Sequence, residues 1–199
     1  MSGDWHMNEP PISREDQENL LRWVRATIDA AVRGQSPREV DDLEVSEPLR
    51  APHGVFVTLK KGGDLRGCIG RMDFQRPLWM NALTAAVASA LEDPRFPPVD
   101  PKELDEITIE ISILNPPEVL PRPELFDVTR HGIIIEKGWR HGLFLPKVAA
   151  EQGWDATKTL EMVCGKAGLP GDAWRDPAAR LQVFTAFDFA ERSTGQRTQ

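Results

Sequence analysis

The chain contains no tyrosine, so no phenol is available as acid, base or nucleophile. Its 199 residues include only two cysteines, Cys68 and Cys164, 96 positions apart. That excludes a disulfide framework and a CxxC redox pair. It suits a compartment where thiols stay reduced, and a cytoplasmic location is expected. No run approaches the roughly 20 apolar residues that span a bilayer, and the first residues lack the charged-then-apolar order of a signal peptide. Positive charge is in deficit, with 24 Lys and Arg against 31 Asp and Glu, a net −7. That field disfavours nucleic acid and anionic membranes, which makes nucleic-acid binding the weakest functional class here. Neither a GxGxxG nor a P-loop occurs, and no cofactor is expected. No repeat of 20–50 residues is found.

What is present is ordinary globular composition, 40% hydrophobic and 28% charged, enough for one substantial domain or two small lobes sharing a core. Residues 1–12 are polar, proline-bearing and aperiodic and are expected to form a loose tail, with a second tail at 193–199 and a single domain over 13–192. Ser13 with Asp16 three positions on reads as a helix N-cap. Leu20, Leu21, Val24, Ile28, Ala31 and Val32 follow at helical spacing, ending near Gly34. Residues 35–53 read as a surface connection. Val55–Lys60 and Leu65–Ile69 flank Lys61-Gly62-Gly63-Asp64 as a hairpin. Trp79–Leu91, rich in alanine and leucine, predicts a mostly buried helix. Four prolines in 93–101 predict an irregular loop.

Alternating isoleucines at 107, 109, 111 and 113 predict a half-buried strand. A second hairpin is expected over 133–145, then two short helices at 146–153 and 156–167. The alternation from Leu181 to Phe189 predicts one last strand. Strands come in adjacent pairs with helices between the pairs, which predicts α+β architecture with mainly antiparallel sheet.

The stretch with most chemical content is Leu65-Arg66-Gly67-Cys68-Ile69-Gly70. Gly67 and Gly70 keep bulk away from the sulfur. In extended chain Arg66 and Cys68 leave the same face, and a cation there favours the reactive thiolate. The opposed reading is a small buried hydrophobe. A two-residue turn at Gly62-Gly63 pairs Cys68 with Val57; a three-residue turn pairs it with Thr58. Both registers remain open. A buried Arg66 demands a carboxylate, and Glu110, the charge within the isoleucine strand, is the expected partner. Glu110 otherwise belongs to a solvated strand face. His131, before Gly132, is the candidate general base for Cys68. His141 reads as a loop-tip histidine. No third ligand stands at metal spacing, so no metal is expected. Cys164 reads as core, and the tryptophans at 79, 139, 154 and 174 as packing anchors.

The hexapeptide resembles the hallmark of the AMMECR family. The resemblance continues through Asp93-Pro94-Arg95-Phe96, Glu110-Ile111-Ser112-Ile113-Leu114, Pro116-Pro117-Glu118, Arg130-His131-Gly132-Ile133, Gly142-Leu143-Phe144-Leu145-Pro146 and Gly153-Trp154-Asp155, in order, over roughly residues 15–191. It implies one α+β fold of two intimately joined lobes, with the hallmark segment at or near a cleft. It also implies the company of a Memo-like protein and a radical SAM protein, as in the AmmeMemoRadiSam system. The chain lacks the CxxxCxxC run of a radical enzyme's cluster. The family motif names no reaction. Two functions are therefore expected to compete. In one, a cleft with Arg66, Gly67, Cys68, Gly70, Glu110 and His131 binds or modifies a small molecule or peptide. In the other, a non-catalytic scaffold uses the hexapeptide as a packing signature.

Overall fold

The computed structural model describes residues 11–37, 40 and 45–191. The expected tails at 1–12 and 193–199 lie outside the described residues except for Pro11 and Ile12. Ile12 is not tail-like: it is buried in the core. The described chain forms two compact units, one running to Leu114 and resuming at Phe187, the other spanning Asn115–Ala186.

In the first unit, helix α1 (Arg14–Val32) begins at the capping box that Ser13 and Asp16 predict. It ends at Gly34, whose φ of +66° suits glycine. Its buried face is Leu20, Trp23, Val24, Thr27 and Ile28. A short helix α2 (Glu47–Arg50) interrupts the expected surface connection, and Val45 and Leu49 are buried there. Strand β1 (Gly54–Lys61) pairs with β2 (Asp64–Arg71), followed by helix α3 (Leu78–Leu91). Strand β3 (Ile107–Leu114) pairs antiparallel with β1 on its other side.

The second unit carries β4 (Glu118–Val119), β5 (Gly132–Lys137) and β6 (Arg140–Phe144). Helices α4 (Pro146–Gln152) and α5 (Ala156–Lys166) and strand β7 (Arg180–Phe184) complete it. Its sheet order is β4-β7-β5-β6. Ile133, Ile135, Leu160, Val163, Cys164 and Leu181 fill its core, and burial pushes the Cys164 thiol upward in pKa. Trp154 meets Phe144 edge-on at 5.5 Å. Trp139 is no packing anchor. It sits in the β5–β6 turn, 84% exposed, against the Arg140 guanidinium.

The run expected as one strand over 181–189 is two. It leaves the second sheet after Phe184 and resumes as β8 (Ala186–Ala190) beside β3, giving the first sheet the order β2-β1-β3-β8. Thr185 marks the break. Its carbonyl accepts from the Asn115 N–H at 3.1 Å, and its hydroxyl accepts from the Asn115 side chain at 2.8 Å. Alternation survives the change of sheet, so periodicity alone does not register it. The architecture is α+β with antiparallel pairing.

Candidate functional site

The site grows from the β1–β2 hairpin. Gly62 and Gly63 take φ of +61° and +95° and make a two-residue turn, pairing Lys61 with Asp64 and Lys60 with Leu65. The ladder then slips, because Leu59 pairs with Gly67. Arg66 is the extra residue of a β-bulge. The hairpin therefore has the short turn and yet the register of the longer one, with Cys68 opposite Thr58. The bulge also breaks the alternation that would put Arg66 and Cys68 side by side.

Released from the ladder, Arg66 reaches the 97–103 segment instead of Glu110. Its Nε and Nη2 donate to the two Glu103 oxygens at 3.1 and 2.9 Å, and its Nη1 and Nη2 to the Pro97 and Pro98 carbonyls at 2.9 and 3.3 Å. Its side chain is 12% exposed and that of Glu103 is 19%. The Arg66 guanidinium, aided by the Asp100 N–H and Lys61, holds the Glu103 carboxyl down at about 2. Glu103 is the carboxylate Arg66 requires. Glu110 instead accepts from Lys60 Nζ at 2.9 Å.

The glycines of the hexapeptide are spacers for packing. A Cβ on Gly67 would collide with the Ser89 carbonyl oxygen on α3. One on Gly70 would collide with the ring of Phe56, its cross-strand partner. The Ser89 hydroxyl accepts from the Ile69 N–H at 2.9 Å and lies 2.8 Å from the Val57 carbonyl.

Cys68 itself is held by its backbone. Its N–H donates to Asp93 Oδ2 at 2.8 Å, and its carbonyl accepts from Arg95 Nη2 at 3.0 Å. Asp93 and Arg95 form a two-pronged pair, Nε to Oδ1 at 2.9 Å and Nη2 to Oδ2 at 2.6 Å. Arg95, together with the Cys68 and Arg95 N–H groups, holds the Asp93 carboxyl at about 2 against the cost of burial. Phe96 lies under both guanidiniums, 5.6 Å from that of Arg95 and 6.0 Å from that of Arg66. The sulfur of the partly buried Cys68 lies 3.3 Å from the Thr58 hydroxyl.

Across the sheet, Cys68, Thr58 and Glu110 are successive partners on β2, β1 and β3. Partners directly opposite share a face. The fold thus assembles a thiol, a hydroxyl and a Lys60–Glu110 ion pair on one row. His131 belongs to the second unit, just before β5. Its N–H donates to the Asp127 carbonyl at 2.9 Å. Burial lowers its pKa, opposed by Asp127. Its Nδ1 is buried with no hydrogen-bond partner among the described residues. His141 is exposed on β6, opposite Glu136. Among the described residues no cluster of His, Cys, Asp or Glu gathers to hold a metal ion.

Residue-level reasoning on the sequence named Thr58 as one of two possible partners of Cys68 and missed Ser89, Asp93, Arg95 and Glu103. A signal existed for Glu103: Asp100-Pro101 three residues before it is a helix-start pattern, and Glu103 does cap the 3-10 turn Pro101–Glu106. For Asp93 and Arg95 the only signal was the family-like run Asp93-Pro94-Arg95-Phe96.

A family model described as AMMECR1 matches residues 21–189. A Methanothermobacter thermautotrophicus protein is 44% identical over 191 residues, covering 93% of this chain and 99% of the relative. A Thermococcus kodakarensis protein is 42% identical over 193 residues, covering 90% and 92%. The crystal structure of an uncharacterized Pyrococcus horikoshii protein superposes with a TM-score of 0.84 at 39% identity, covering 92% of this chain and 95% of that one.

Proposed function

We propose, from the premise that this chain belongs to the AMMECR1 family, that Cys68 is a working thiol. It binds or modifies a small molecule or peptide on the polar face of the first unit's sheet. One observation carries this reading. Around the sulfur, Arg66, Gly67 and Gly70 all have packing or pairing work, and a clamp of buried Asp93 and exposed Arg95 holds the Cys68 backbone N–H and carbonyl. Cys68 as a residue is only partly buried, and its thiol has a hydroxyl for company. A residue needed only as filler does not require both of its backbone polar groups to be held by a charged pair. The cation that serves the thiol is Arg95, since the donors of Arg66 go to Glu103 and the proline carbonyls. The family resemblance supports a pathway shared with Memo-like and radical SAM proteins. Two cysteines cannot supply a CxxxCxxC cluster site, so radical chemistry there falls to the partner.

Labelling of the native protein with iodoacetamide, read by peptide mass, tests the reading. Cys68 is expected to label without denaturant and Cys164 only with it. Cys68 labelling that also waits for denaturant overturns the proposal. The scaffold reading is favoured by the Arg66–Glu103 staple and the Gly67 contact. It predicts that Cys68→Ser lowers the melting temperature and leaves function in the host unchanged.

A further inference from the structure

The Asp93–Arg95 pair is lopsided in a way that bears on what the thiol meets. The Asp93 side chain is 2% exposed and that of Arg95 is 53% exposed. The carboxylate is turned inward, where the Cys68 and Arg95 N–H groups and the Arg95 side chain take up its oxygens. The guanidinium is the half that solvent sees. Hydrogen bonds to Asp93 and to the Cys68 carbonyl occupy Nε and Nη2, and Nη1 takes part in none of them. Phe96 beneath the guanidinium limits its freedom. A planar cation whose Nη1 is turned away from its carboxylate, anchored on the backbone of a thiol-bearing residue, has the chemistry to take one oxygen of a carboxylate or a phosphate.

Building on the reading of Cys68 as a working thiol, we propose that the ligand of this site is anionic, with its carboxylate or phosphate on the outer edge of Arg95 and its reactive group at the Cys68 sulfur. Arg95 is then a binding residue and Asp93 a positioning residue. Asp93 acts through Arg95, by orienting the guanidinium, and through the Cys68 N–H. The raised pKa of Arg95, due first to Asp93 and in smaller part to Cys68, agrees with a guanidinium that interacts with both.

The net charge makes the proposal sharp. A chain at −7 repels anions at long range. The global field therefore predicts that an anionic thiol reagent reacts less readily here than at a free thiol. The guanidinium is paired with the ionised Asp93 carboxylate, so its local preference for an anion comes from the outward Nη1 rather than from a bare unit charge. It predicts the reverse of the global field: a preference above one, up to about twofold at low salt.

The experiment compares iodoacetate with iodoacetamide on native protein. The rate ratio at Cys68 is divided by the same ratio on N-acetylcysteine amide. A normalised ratio above one, up to about two, is expected, falling toward one in high salt and to one or below in Arg95→Gln, which leaves the Asp93 carboxylate unpaired. Arg66→Gln, which removes a cation committed to Glu103, should keep the preference. If Arg95→Gln fails to fold, Arg95→Lys and the salt series decide: the lysine variant should keep a reduced, salt-sensitive preference. Protection of Cys68 from iodoacetamide by acetate and succinate, against protection by inorganic phosphate and glycerol phosphate, separates the two anion classes. A normalised ratio at or below one on a protein that labels readily with iodoacetamide overturns the anionic ligand and leaves the working thiol standing. A preference that survives Arg95→Gln overturns the assignment to Arg95. Failure of both reagents on native protein overturns the working thiol, and the anionic ligand with it.

Discussion

Replacing Gly67 with alanine probes the packing that positions Cys68. The new Cβ would collide with the Ser89 carbonyl oxygen and come within 3.2 Å of its carbonyl carbon. Ordinary contact is roughly 3.5–4 Å, so the last turn of α3 must retreat by about 1 Å. The obstacle is backbone, and no rotamer change relieves it. Overpacking of this kind costs about 1–3 kcal/mol. The retreat also strains the 2.9 Å bond from the Ile69 N–H to Ser89 Oγ, worth about 1 kcal/mol. The alanine returns about 0.4–1 kcal/mol by restricting the unfolded chain. The net loss expected is about 2–3 kcal/mol. Gly70→Ala is the internal control, since its Cβ meets only the tip of the Phe56 ring. A ring tip can swing aside, so the expected cost is about 1 kcal/mol or less. Urea titration followed by far-ultraviolet circular dichroism measures both. In a thermal melt the difference corresponds to roughly 2–4 °C per kcal/mol. The reasoning fails if Gly67→Ala proves no more damaging than Gly70→Ala.

Acid should unfold the first unit through two carboxylates. Glu103 and Asp93 titrate at about 2 in the fold, against ordinary values of 4.5 and 3.8. Groups depressed in this way stabilise the fold above their unfolded pKa and lose that contribution as pH falls toward 2. Stability should therefore decline between about pH 4.5 and pH 2, and Glu103→Gln should shallow the decline; an unchanged slope in acid denaturation speaks against the Arg66 staple. Removing Arg66 itself, as Arg66→Met, should cost about 1–2 kcal/mol by urea titration. His131 should titrate below 6.5 in a histidine NMR series, because burial lowers it. Its neutral form then supports the fold fully above 6.5, and that support is lost as pH drops through the lowered value. A midpoint at or above 6.5 contradicts its placement.

Much of this protein is legible in its sequence because the signals are local. Ser13 and Asp16 set the start of α1 within one turn, and Gly34 sets its end. Alternation finds β3, the glycine pair finds the first hairpin, and apolar spacing puts Cys164 in a core. Each needs only neighbours a few residues apart. The ordered family segments extend that reading to the whole α+β fold.

The site's wiring was decided elsewhere. The choice of Glu103 over Glu110, the Asp93–Arg95 clamp on Cys68 and the change of sheet at Thr185 involve partners from 25 to 70 residues distant, and the bulge at Arg66 is a slip in hairpin pairing. Composition and periodicity carry no term for such pairings. A bulge leaves no trace in a hydrophobic pattern, and a guanidinium accepts any carboxylate that packing delivers to it. The sequence by itself determined most of the helices and strands and that the hexapeptide is special, though not α2 or the split of the last strand. Only tertiary packing decided that its arginine is a staple, that its glycines are clearances, and that a different arginine holds the Cys68 carbonyl. Capping and alternation are short-range physics, whereas charge pairing in a half-buried site is settled by whatever the folded chain brings within about 3 Å.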